Sequence, residues 1–367
     1  MTEIQNKRLA GLDLFRGLAV AGMIIVNTPG SGEHVWWPLD HAAWHGFTPT
    51  DLVFPAFLCA MGVALGLSFP RKVDGALWGR ILRRTLLLIA IGWAWQMLAR
   101  PGIETFRIYG VLPRLGLCYG LAAALAILTA HRDAQGRARL SPTALAIATL
   151  IILACYGAAL TLGGDYSPEG NLAGYVDRIT IGTHHMWRFG TDAAGNVVYD
   201  PEGLLSTLPA LANVLLGVLA ALAWKAAPDR APLRIAIAGL ALAALGLALS
   251  PVIPLNKRIW TSSYALLSSG LSALLFVACI LAARAPALKN ALWPLDVLGM
   301  NAILGYIVSL LIGLAGMRWG FQKTGFDAID GLIHAPFLSS FLYAFAVLLV
   351  VLALLVPLHR KGIHLRL

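Results

Sequence analysis

The chain has 367 residues, of which 58% are hydrophobic and only 13% charged, with a net charge of +10 and a mean hydropathy of +0.74. A soluble domain carries roughly a quarter charged residues, so this much apolar surface must face lipid, and the chain reads as a polytopic membrane protein. That composition excludes a nucleic-acid binder, a secreted disulfide domain and a disordered tail, and it leaves the positive charge to be explained by topology.

In chain order, about ten apolar segments have helix-spanning length: 12–29, 51–69, 82–99, 110–130, 142–163, 204–224, 233–250, 261–283, 296–315 and 337–357. Helix is the expected element, because lipid cannot satisfy an open backbone and no alternating barrel pattern occurs. Lys7 and Arg8 precede the first segment, which Asp13 and Arg16 interrupt. No small-residue cleavage site follows, so it reads as an uncleaved first span. Basic loops separate alternate spans at Arg71–Arg84, Arg132–Arg139, Lys225–Arg234 and Arg284–Lys289, and the tail Arg360–Arg366 is basic too. With these on the cytoplasmic side, only Arg100, Arg107, Arg114, Arg178, Arg188, Lys257, Arg258, Arg318 and Lys323 fall outside them and the N-terminus. The bias predicts that both termini are cytoplasmic. The opposite face holds 12 of the 18 acidic residues and the two longest loops, 30–50 and 164–203. Loops of that length are usually functional or disordered, and the Trp and Tyr in these two favour a folded cap over the site. The expected fold is therefore an all-α integral membrane protein, with residues 1–367 forming one transmembrane domain.

Cys59, Cys118, Cys155 and Cys279 lie inside apolar stretches without CxxC or Cys/His spacing, and they read as packing residues. His184 and His185 are adjacent and His41 and His45 are four apart, but no HExxH accompanies them, so no metal is expected. The most polar-loaded stretch is the first hairpin, which places Asp13, Arg16, Asn27, His41 and Asp51 at or near membrane depth. Ionisable groups there are costly and count as functional candidates. Asp13 and Arg16, three apart on a helix, suit either a structural ion pair or the capture of an anionic ligand. His41 suits a general base or a transient acyl carrier, with Asn27 at similar depth to orient it or to polarise a carbonyl. Interfacial packing is the alternative reading of a histidine in a Trp-rich loop.

The stretch RLAGLDLFRGLAVAGMIIVNTPG…DHAAWHGFTPTDLVFPAFLCAMG resembles the opening of the heparan-α-glucosaminide N-acetyltransferase family. The resemblance continues through GVLPRLGLCY, YVDRITIGTHHMW, YDPEGLLSTLPA, PLNKRIWTSSYALLSSG and GMNAILGY, and so covers nearly the whole chain. The long lumenal N-terminal extension of the lysosomal member has no counterpart in this reading. The resemblance implies a transmembrane acyltransferase fold and transfer of acetyl from cytosolic acetyl-CoA to the amine of a terminal glucosamine across the membrane. It places the catalytic histidine of an H-x-x-W-N-G-L-T motif at His41 in HAAWHGFT, and the active-site asparagine of a VN motif at Asn27. His45 stands where that motif has Asn, and Phe47 where it has Leu.

For the nucleotide of acetyl-CoA, Arg16, Arg80, Arg83 and Arg84 are candidate phosphate partners, since Arg binds phosphate bidentately; positive-inside anchoring is the alternative. On the sugar side, Asp51, Asp177, Arg178, His185, Asp200, Glu202, Asn256, Lys257 and Trp260 fall in matching motifs on the outer half. Arg114 and Asn301 read as structural alternatives. The partners expected are an amino-sugar substrate and membrane lipid, in a bacterial inner membrane, with a homodimer implied by the resemblance alone. The rival readings are an amino-sugar transporter and an O-acyltransferase acting on an envelope glycan; neither inverted repeats nor paired broken helices support transport.

Overall fold

The computed structural model describes residues 9–70 and 72–363. Lys7, Arg8, Arg71 and Arg366, which contribute to the expected charge bias, lie outside the described residues. The helices are α1 (Ala10–Asn27), α2 (Val53–Ser68), α3 (Gly75–Ala99), α4 (Val111–Leu128), α5 (Pro142–Leu162), α6 (Leu172–Ile181) and α7 (Thr207–Ala226). They continue as α8 (Ala231–Leu249), α9 (Ser262–Arg284), α10 (Lys289–Met300), α11 (Ala302–Trp319), α12 (Phe321–Ile333) and α13 (Pro336–Arg360). A two-residue hairpin, β1 (His131–Arg132) and β2 (Ala138–Arg139), joins α4 to α5. Among the described residues ten helices are long and apolar enough to cross a membrane, as expected, and the protein is an all-α integral membrane protein.

Two boundaries move for identifiable reasons. The third span begins at Gly75 rather than 82, because the Asp74 side chain caps the helix by accepting from Leu77 N–H at 2.9 Å. Arg80, Arg83 and Arg84 therefore lie within α3 rather than in a loop. The ninth span begins at Ala302 rather than 296. Asn301 leaves helical geometry (φ −119°, ψ 32°), closing α10 and opening α11, so Asp296 to Met300 belong to a separate short helix.

The chain forms two compact units. Of the described residues, the first comprises 9–41, Thr48–Phe57 and 274–363. Within it α1 packs on α10, α11 and α13. Glycines let α1 and α10 approach closely: a Cβ on Gly17 would strike the Leu295 backbone, and one on Gly299 would strike the Asp13 backbone. Small residues let helix backbones meet where lipid offers no hydrophobic incentive to associate. The start of the 30–50 loop is tied down here, with Gly30 N–H donating to Ser340 O (3.1 Å) and Gln322 Nε2 to Pro29 O (2.7 Å).

The second unit comprises Ala42–Phe47 and Leu58–Ala273. In it α3 packs on α4, while α4, α5 and α8 pack on α7. Reciprocal glycines recur: a Cβ on Gly62 would meet the Val214 backbone and one on Gly217 the Cys59 backbone. The long 164–203 segment is folded around α6, whose N-cap Asn171 is fully buried and accepts from Gly174 N–H at 2.7 Å. It also contains a one-residue bridge between Thr191 and Val197.

Candidate active site

In the first unit, the segment after α1 turns twice before α2. Thr48 opens a 3-10 turn, Pro49–Leu52, with a capping box: its backbone N–H donates to Asp51 Oδ2 at 3.0 Å. The Thr48 hydroxyl lies 2.6 Å from Asp40 O and 3.1 Å from Asp51 Oδ2. The cap thus fixes one oxygen of a carboxylate that is fully buried. The other, Oδ1, lies 2.6 Å from His41 Nδ1, and the His41 backbone N–H is anchored on Asp40 Oδ1 at 2.8 Å. A buried carboxylate accepts at that distance, so Nδ1 carries the proton and the neutral ring is basic at Nε2. The His41 side chain is 32% exposed. A carboxylate that sets the tautomer of a histidine is the arrangement of a general base or of a nitrogen nucleophile. Asn27, in the same unit, is the last residue of α1 and is exposed; the Thr28 hydroxyl closes the helix on Ile24 O at 2.8 Å. Arg16 lies 3.6 Å from the largely buried Asp13.

The second unit gathers most of the other candidates. Arg107 grips Asp200 through Nε (2.8 Å) and Nη2 (2.5 Å) and also pairs with Glu202. Asp200 accepts further from Trp187 N–H (2.8 Å) and Glu202 N–H (2.9 Å), so its turn is fully cross-braced. Burial pushes the Glu202 carboxyl up, but the charges of Arg107, Arg114 and Lys257 outweigh it and hold Glu202 below the usual carboxylate range. Asp177, on α6, is also buried and accepts from Leu204 N–H at 2.8 Å. Burial pushes its carboxyl up to about 7, despite that hydrogen bond, and neighbouring Asp200 adds to the rise. Arg178 donates to Val198 O (2.5 Å) and Glu169 O (3.1 Å), and His185 Nδ1 lies 2.9 Å from Phe106 O.

The turn before α9 holds the remaining candidates. Asn256 is fully buried, and its Oδ1 accepts from Arg258 N–H (2.8 Å) and Ile259 N–H (3.1 Å). Trp260 is fully buried with a left-handed φ of 51°, and its indole donates to Asn213 Oδ1 at 2.9 Å. The Arg114 guanidinium lies 5.0 Å over that ring and donates to Ser206 Oγ at 2.5 Å. Arg80 and Arg83 are exposed on α3, whereas Arg84 stacks over Tyr119 at 4.3 Å. The structure thus joins Asp51 to His41 and pairs Asp200 and Glu202 with Arg107, while Asp177 is held by Leu204 N–H. Arg107 is not identifiable from sequence as the partner of Asp200 and Glu202, because the pairings span 93 and 95 residues.

Comparison with known proteins meets this geometry at the first hairpin. The family profile described as "Heparan-alpha-glucosaminide N-acetyltransferase, catalytic" matches residues 8–167. The heparan-alpha-glucosaminide N-acetyltransferases of Homo sapiens and Mus musculus are 32% and 30% identical to it over 82% of this chain. Over most of its length the chain is thus similar to the heparan-α-glucosaminide N-acetyltransferases. It spans about half the length of those two relatives, 52% and 53% respectively. The stretch matched by the family profile contains Arg16, Asn27, His41, Asp51 and the α3 arginines, and stops before α6 and the Arg107-bound acids.

Proposed function

We propose that the protein is a transmembrane N-acetyltransferase, moving acetyl from cytosolic acetyl-CoA to the amine of glucosamine or a terminal glucosaminide on the outer, periplasmic face of a bacterial inner membrane. Its similarity to these acetyltransferases supports the reading, and the observation that carries it is the His41–Asp51 pair, 2.6 Å apart. The acceptor amine attacks the thioester carbonyl carbon, the new C–N bond forms, the C–S bond breaks, and the CoA thiol leaves. His41 Nε2 takes the proton lost by the amine, or forms an acetyl-imidazole that the amine then resolves. Asp51 holds the ring in the reactive tautomer, and Asn27 polarises the carbonyl. Asp51 is thus proposed as a positioning residue rather than a sugar ligand, since it is fully buried against His41. Arg80 and Arg83, exposed on α3, are the proposed partners of the nucleotide phosphates.

The test is CoA release by purified protein given acetyl-CoA with and without glucosamine, with product mass followed in the same samples. Glucosamine-dependent release with one acetyl added to the sugar is expected, and His41→Ala should abolish it in folded protein. Release that tolerates an N-blocked sugar would favour an O-acyltransferase. Absence of release from folded protein, with acetyl-CoA-independent uptake of labelled sugar, would favour a transporter.

A further inference from the structure

His45 lies four residues after His41, on the Ala42–Phe47 segment of the second unit. That segment is docked by Gly46 N–H to Leu255 O at 2.8 Å and by the Trp44 indole to Tyr166 O at 2.7 Å. The His45 ring is exposed, but its Nδ1 faces the wholly buried Asn256 amide, at 3.4 Å from Nδ2. Which end of that amide faces the ring is settled by its other contacts. Asn256 Oδ1 already accepts from two backbone N–H groups, so it is the oxygen, and the atom beside His45 is the NH2. An amide NH2 only donates. His45 Nδ1 must therefore accept, and the ring proton sits on Nε2, at the edge away from Asn256. His45 is thus the reverse of His41, where a carboxylate puts the proton on Nδ1.

The side chains that continue from His45 through Trp44 suit a sugar. Trp44 lies with its ring centroid 6.1 Å from His45 and 4.8 Å from Tyr199, and Tyr199 lies 6.3 Å from Trp187. Arg258 donates to the Tyr199 hydroxyl at 3.0 Å and keeps a buried Nε without a hydrogen-bond partner. Aromatic faces beside a few fixed polar groups are the usual means of recognising a sugar ring and its hydroxyls. Partial desolvation also lowers His45 from its ordinary value of 6.5, which favours the neutral ring.

We propose that His45, held by Asn256 as its Nε2–H tautomer, donates a hydrogen bond to a hydroxyl oxygen of the acceptor amino sugar and sets acceptor specificity. This rests on the acceptor class named under Proposed function. Asn256 is a positioning residue that acts through the ring.

The test uses full-length protein in detergent. Glucosamine and its monodeoxy analogues are titrated calorimetrically, and nitrogen NMR of labelled histidine reads the tautomer, with His45→Gln identifying the signal. The expected spectrum has Nε2 protonated and Nδ1 bare, and Asn256→Asp, which substitutes an acceptor for the NH2, should move the proton to Nδ1. His45→Phe should weaken glucosamine binding about tenfold, the loss of one hydrogen bond, while His45→Gln, whose amide nitrogen reaches the Nε2 position, should retain it. One deoxy analogue should bind wild type and His45→Phe equally. A proton on Nδ1 in wild type, an equal loss of every analogue in His45→Phe, or no binding of glucosamine to wild type would each overturn the proposal. Binding with this pattern but without acetyl transfer would instead remove the proposed reaction and leave His45 as a sugar contact.

Discussion

At the scale of single residues, the chemistry turns on which groups accept and which donate. Asp51 is held from behind by Thr48, which leaves its other oxygen committed to His41. Asp51→Asn should therefore fold normally yet lose on the order of 10³-fold in kcat, because an amide can leave the imidazole in the wrong tautomer. Single-turnover CoA release would measure this, and wild-type turnover in the variant would remove Asp51 from the machinery. Asp177 offers a pH signature. Its carboxyl rises from 3.8 to about 7 through burial, so the folded state favours the protonated form. The stability it contributes is complete below about pH 4 and is lost as pH rises through about 7. Glu202, held low, runs the other way and loses its contribution as pH falls below its ordinary range. The melting temperature should thus fall between about pH 5 and about pH 8 in wild type, and Asp177→Asn should flatten that decline; an identical pH profile in both would refute it. The sequence pointed to His41 and Asp51 separately, ten positions apart, but gave no means of knowing that one holds the other. The capping box that aims Asp51 is local, whereas the return of the chain to His41 depends on the turn geometry.

At the scale of elements, helices were legible and their junctions less so. Apolar length alone identifies a span, because lipid imposes the same requirement on each. The starts of α3 and α11 depend on a cap and on a single non-helical asparagine, both too local to register in hydropathy. The amphipathic α12 likewise leaves no mark in hydropathy, since its 13 residues are too few to span. Glycine position has consequences for stability. Gly62→Leu would drive a side chain into the Val214 backbone, whereas a Cβ on Gly79 of α3 meets nothing within 4 Å. Gly62→Leu should cost at least about 3 kcal/mol and reduce the yield of folded protein, while Gly79→Ala should be neutral or stabilise by up to about 1 kcal/mol. Thermal unfolding in detergent distinguishes them, and equal melting temperatures would contradict the close α2–α7 packing.

At the scale of the whole molecule, the charge bias leads us to propose that both termini are cytoplasmic. In a variant with the four native cysteines replaced, a membrane-impermeant thiol reagent outside sealed cells should label Ala194→Cys and spare Asp229→Cys. The reverse pattern would invert the orientation and the direction of transfer with it. What the sequence determined by itself was the class: apolar spans, their number and the first hairpin all follow from transfer energetics and ordered local motifs. Tertiary structure alone decided which polar groups meet. Arg107 finds Asp200 and Glu202, and Asn256 meets His45 across 211 residues, because burying a charge or an amide requires a partner wherever the fold brings one. Periodicity records which face of a helix is apolar, and it carries no information about the distant residue that will satisfy a buried donor.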